Sequence, residues 1–191
     1  MRAAPHRRAL RRTLELLAVL AALGGAIRAA GAQGYPFSQR GSVTQHVAHT
    51  TITIEYGRPV ARGRALFGQL VPWDSVWHPG ADSATRISFD HPVLLEGREV
   101  RAGEYSVWLV PRASGPWTVI LSRAAHAFHK PYPGAAQDAY RFDVAPERGA
   151  HMESLAYYFP SVVRDQAVLR LHWGETIVPI RVSAPYQPAS G

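Results

Sequence analysis

"EYSVWLVPRASGPWTVILS", Glu104 to Ser122, sets two apolar runs on either side of a short turn-rich connection. Tyr105, Val107 and Leu109 alternate with Ser106, Trp108 and Val110. Successive side chains of a strand point to opposite faces. Here both faces are largely apolar, which predicts a central strand covered on both sides. "PRASGP" is a turn-rich connection, and "WTVILS" reads as the returning strand of a hairpin.

The same period of two recurs on either side. "TITIEY" sets Ile52, Ile54 and Tyr56 against Thr51, Thr53 and Glu55, and "AYRFDV" sets Tyr140, Phe142 and Val144 inward with Arg141 and Asp143 outward. "RISF", "PVLLEG" and "SLAYYF" complete the short strands. "AVLRLHW" and "TIVPIRV" read as two more, joined at Gly174-Glu175 by a type II′ link in which glycine takes the positive φ. Pro179 removes a ladder donor and is expected to push the last strand toward an edge. Helix is scarce: a turn at "RALFG", and one short helix in "SRAAHAFH" ended by Pro131 and Pro133. Turn signals recur every ~8–12 residues, as in sandwiches and barrels. The expectation is an all-β, single-domain antiparallel β-sandwich, with a jelly-roll-like order as one form of it.

Composition narrows the function. The formal charge of +7 suggests nucleic acid, but the first 32 residues hold six arginines and one acid. The remaining 159 residues hold 15 basic and 13 acidic side chains, a net +2. So nearly neutral a remainder has no general pull on phosphate backbones, and nucleic acid is set aside. Residues 1–32 have the three parts of a secretory signal: "MRAAPHRRALRR" is the positive region, "LELLAVLAALGGAI" the apolar one, and "AGA" the small residues before Gln33. The apolar run falls short of the ~20 residues that cross a bilayer, and no later segment is long and apolar enough to span. With no cysteine in the chain, there is neither a disulfide nor a lipid-modified cysteine, so the core must stabilise the fold alone. These features predict a bacterial periplasmic or secreted protein, with 1–32 as the leader, 33–185 as the β-domain and 186–191 as a frayed tail.

The order of segments resembles a bacterial family known as domain of unknown function 2911. The residues that carry the resemblance are "EYGRP" (Glu55 to Pro59), "GRALFGQLVP" (Gly63 to Pro72), "VWHPGADSAT" (Val76 to Thr85), "LLEGREVRAGEYSVWLVP" (Leu94 to Pro111), "WTVILS" (Trp117 to Ser122) and "LRLHWGETIVPI" (Leu169 to Ile180). The resemblance implies export and an all-β fold, and carries no activity. In two places the chain differs from the family pattern. His78 and Asp82 stand where the family looks like Arg and Asn, and Phe128 and His129 stand where it tends to show Trp-Gly.

Three groups of residues are candidates for function. "VPWDSVWHPGAD" places Trp73, Trp77, His78 and Asp82 in one loop. The indoles either form a platform for a small ligand, with His78, Asp82 and Thr85 as polar contacts, or fill the end of the sandwich while Asp82 caps a turn. "EYGRPVARGR" offers Arg58, Arg62 and Arg64, whose planar forks suit carboxylate or phosphate. The alternative is an internal lock that pairs Arg58 or Arg64 with Glu55 or Asp82. Two HxxH spacings occur, His46/His49 and His126/His129. Only the second falls on the expected helix, where i and i+3 share a face and can chelate. A pair such as Asp74/Asp82 serves glycoside chemistry only at a separation of about 5–9 Å. There is no G-x-S-x-G elbow, no HExxH and no thiol. The leading expectation is a non-catalytic module with no cofactor, holding a small anionic or sugar-like ligand through Arg58, Arg64, Trp77, His78 and Asp82. The competing expectations are a metal-dependent hydrolase using His126 and His129, and a structural envelope protein with a sheet-face interface at Trp108.

Overall fold

A computed structural model describes residues 38–185; the leader and the C-terminal tail expected from the sequence lie outside the described residues. Ten strands form two antiparallel sheets packed as a sandwich. The first sheet contains β1 (Gln39–Val47), β2 (Thr50–Arg58), β3 (Arg86–Phe89), β6 (Gly103–Val110), β7 (Trp117–Ser122) and β8 (Asp138–Val144), in the order β1-β2-β3-β6-β7-β8. The second contains β4 (Val93–Leu95), β5 (Arg98–Val100), β9 (Glu147–Val163) and β10 (Gln166–Ser183), in the order β5-β4-β10-β9. Ten strands in unequal sheets exceed the eight of a jelly roll.

The hairpin of Glu104 to Ser122 lies inside the larger sheet, with Val107 opposite Leu121 and Leu109 opposite Val119. Tyr105, Val107 and Leu109 join the main core between the sheets. Trp108 and Ile120 join a second cluster on the outer face, where Tyr132 packs edge-on against Trp108 at 5.3 Å. Residues 123–134 therefore cover that face. Trp108 is only 1% exposed, so the expected partner interface at this residue is already filled by the chain itself. The expected helix in "SRAAHAFH" is a turn, and the helical content of the described residues is one 3-10 turn, Ala135–Gln137.

The main core receives Ile52, Ile54, Ile87 and Phe142 from the first sheet and Leu95, Leu155, Leu169 and Ile180 from the second. Each fully buried aliphatic side chain contributes about 1.5–3 kcal/mol relative to exposure, and without disulfides this burial is the main source of stability. β9 is the edge strand of its sheet, and it is closed by the chain that follows β2. Ala61 donates its N–H to the Glu153 carbonyl at 2.8 Å, and Leu155 donates to the Pro59 carbonyl at 3.0 Å. This seam joins the two sheets beside the loops singled out from the sequence.

The expected hairpin at Gly174-Glu175 does not form. β10 runs through Gly174, which pairs with Met152 between two register shifts. Leu169, Leu171 and Trp173 face the core before it, and Val178, Ile180 and Val182 face the core after it. An extra residue at a bulge reverses the alternation in this way. A change of phase within one strand resembles, in sequence, two strands joined by a turn. Pro179 lies between the part of β10 paired with β9 and the part paired with β4. Its missing donor is thus accommodated within an inner strand, not at the expected edge. Gly174 has φ of 58°, and a Cβ there would lie 2.8 Å from Leu66 Cδ1. Gly174→Ala is expected to cost about 2 kcal/mol through left-handed strain and crowding, measurable as a shift of the urea midpoint with an unchanged slope.

Candidate functional site

β2 ends at Arg58 and β3 begins at Arg86; the 27 residues between them, 59–85, carry most of the residues that build the site. The segment is fixed at a corner, His78-Pro79-Gly80. The Pro79 carbonyl accepts the Thr85 hydroxyl at 2.9 Å and the Tyr157 hydroxyl at 3.0 Å. The Thr85 N–H donates to His78 Nε2 at 2.7 Å, and the Val107 N–H donates to the Thr85 carbonyl at 2.8 Å. Thr85 thus ties the corner to the first sheet, and Tyr157, on β9, ties it to the second. The Tyr157 N–H donates in turn to the Tyr56 hydroxyl at 3.1 Å, and the two rings meet edge-on at 4.7 Å. Burial pushes the Tyr157 phenol well above its usual range.

The loop lies close against β2. A Cβ on Gly57 would come 2.2 Å from the Ala81 carbonyl oxygen. This explains the glycine in "EYGRP": the backbone after the corner crosses where a side chain would stand. Gly80 is confined as well, since a Cβ there would meet Thr85 Oγ1 at 2.6 Å.

A neutral imidazole has one donor and one acceptor nitrogen. His78 Nε2 accepts the Thr85 N–H, so the ring proton is on Nδ1. Burial, with His129 beside it adding repulsion, lowers the His78 pKa from 6.5 to about 4. The ring, 6% exposed, also packs against Trp108 at 5.7 Å.

Beside the corner is a hollow of about 530 Å³, within the range of small-molecule sites. Arg64, Trp77, His78 and Asp82 all line it, so four of the five residues selected from the sequence share one cavity. Trp77 pairs its backbone with Leu109 and stacks on Trp173 of β10, with centroids 6.0 Å apart and planes 12° apart. Trp73 belongs to the packed wall behind, stacked on Phe67 and edge-on to Trp117. Arg64 is held by its own loop, donating from Nε to the Ala61 carbonyl at 2.9 Å and from Nη2 to the Val60 carbonyl at 2.6 Å. The Asp82 carboxylate is exposed on the rim. Arg58 is not part of the lining; its Nε donates to the Leu155 carbonyl at 3.2 Å and supports the seam.

Two other expectations are corrected. The proposed ion-pair lock is absent, because Glu55 pairs with Arg86 and Arg64 is bound to carbonyls. The lock at this corner is made of hydroxyl, imidazole and amide groups instead. His126 and His129 do not share a helix face. His126 lies near Arg86 and Glu104, while His129 Nδ1 donates to the Asp82 carbonyl at 2.9 Å. Among the described residues no group of three His, Cys, Asp or Glu is placed to hold a metal ion. Asp74 and Asp82 both adopt left-handed backbone, φ 57° and 63°, which is the turn role.

Tyr157, Trp173 and Lys130 also belong to the corner or the hollow and were not singled out from the sequence. The odd-numbered apolar series ending at Trp173 was the available signal, but the phase change at Gly174 made Trp173 look like the end of a strand.

Two outcomes are expected. Gly57→Ala should lose about 3 kcal/mol in equilibrium unfolding, because backbone must move to admit the methyl group. The second concerns pH. Between pH 6.5 and about 4 the unfolded His78 binds a proton that the folded ring refuses. Stability is therefore complete above the upper limit and falls as pH drops through the window. The shift corresponds to about 3 kcal/mol. Melting curves recorded from pH 7 to 4 should show this decline, and His78→Asn, which keeps an acceptor but does not titrate, should flatten it.

The corner and hollow fall within the segment matched by a family model described as a protein of unknown function (DUF2911), over residues 38–182. No curated protein and no solved structure matches. The match covers most of the chain, and the protein belongs to the DUF2911 family.

Proposed function

We propose that this chain is an exported, non-catalytic β-sandwich module that holds a small ligand in the hollow between the arginine loop and the tryptophan loop. The observation that carries the reading is the convergence of Arg64, Trp77, His78 and Asp82 on one cavity whose walls are already braced. Arg64 is positioned by two carbonyls before any ligand arrives, which reduces the ordering cost of binding. A binding role suits the two histidines better than acid–base chemistry, since each already bonds a backbone group. Export is supported by the composition of residues 1–32. A periplasmic or secreted location follows from that leader.

The test is a thermal-shift screen of small anions and sugars on wild type, Arg64→Gln and Asp82→Asn. Both side chains are exposed and outside the core, so each variant should melt within about 2 °C of wild type. A ligand that raises the wild-type Tm should have less effect on the variants. Severe destabilisation by both changes, with no ligand shifting the wild type, would contradict the reading and leave the corner as a structural fastening alone.

A further inference from the structure

The charged groups around the hollow are unevenly divided between cations and anions, and this limits what it can hold. With Nε2 engaged by Thr85, His78 carries its proton on Nδ1, and among the described residues nothing accepts from that atom. Trp173, 3% exposed, belongs to the wall, while its unpartnered indole N–H is buried with no surface open to the hollow. At the edge, Ser75 donates its proton to the Trp73 carbonyl and Tyr132 to the Asp138 carboxylate, so these hydroxyls keep only their lone pairs for a ligand.

Arg62, Arg64 and Lys130 line the hollow against one carboxylate, Asp82. Neutral side-chain acceptors are present too, in the Ser38 hydroxyl and His129 Nε2. Val60, Leu70, Val71 and Val76 make the rest of the wall apolar. A neutral sugar gains nothing from this excess of positive charge. An anionic oxygen only accepts, and hydrogen bonds from neutral and cationic donors to it are the strong ones.

Resting on the binding reading above, we infer that the hollow is an anion site that takes a carboxylate or phosphate ester with an apolar body and rejects neutral sugars. The cationic rim attracts the charged group, the His78 Nδ1–H meets its oxygens, and the aliphatic and indole wall covers the hydrocarbon. The carboxylate and phosphate share this chemistry, and the probes below separate them.

The experiment is calorimetric titration and thermal shift with benzoate, phenyl phosphate, methyl benzoate and glucose. The wild type should bind benzoate or phenyl phosphate, with affinity falling as salt rises, and should not respond to the neutral ester or to glucose. Arg64→Gln should weaken the anion by about ten-fold. Lys130→Gln removes a second rim charge from an exposed side chain, so the free variant should melt like wild type while anion affinity drops several-fold. Glucose binding without anion binding would overturn this inference and leave the binding module standing. Equal anion affinity in wild type, Arg64→Gln and Lys130→Gln would overturn the cationic rim. Silence with all four probes, in a protein that also responds to nothing in the broader screen, would overturn both.

Discussion

One buried carbonyl, that of Pro79, accepts hydroxyl protons from both halves of the sandwich, and the arrangement around it depends on that contact. Thr85 reaches it from the strand-side loop of the first sheet and Tyr157 from β9 of the second. A buried carbonyl deprived of its partners costs about 1–3 kcal/mol, so the corner is most stable with both sheets in place. The His78 ring extends the same network, since its acceptor nitrogen holds the Thr85 amide. The absence of cysteine makes this fastening more important. Where a disulfide would otherwise restrain the chain, packed hydroxyls and an imidazole do so.

Fastening and binding are not alternatives here. The side of the corner that faces the core is filled by Tyr56 and Tyr157, while the other side, with Trp77 and His78, lines the hollow. A rigid corner fixes His78 Nδ1 and the Trp77 ring without help from a ligand. Sites built on such braced elements keep their geometry better than free loops do. Gly57 contributes from a distance by letting Ala81 pass close to β2, which holds the loop against the sheet.

The sheets were legible in the sequence because one-sided burial imposes a strict period of two. "TITIEY" and "AYRFDV" show it clearly, and the doubly apolar "EYSVWLV" is indeed an inner strand. Legibility failed where that period is interrupted. Gly174 shifts the phase within one strand, and its glycine and glutamate mimic a turn. It failed also where partners are distant in sequence: Pro79 and Tyr157 are 78 residues apart, and no local pattern links a turn carbonyl to a tyrosine on an edge strand. At the site, the concentration of arginine and tryptophan pointed to two loops that the fold brings around one hollow. It did not show which arginine faces the hollow, because Arg58 and Arg64 differ only in the carbonyls they reach. The HxxH spacing at His126 and His129 misled for a related reason, since spacing implies a shared face only on a helix.

The central claim is that a neutral His78 with an acceptor Nε2 holds the corner from within. Nitrogen-15 NMR of the imidazole tests it directly, because protonated and lone-pair nitrogens resonate far apart. A single tautomer is expected at pH 7, with the proton on Nδ1 and Nε2 unprotonated, persisting until the pH nears 4. A His78 that titrates near its ordinary value of about 6.5, or that carries its proton on Nε2, would contradict it.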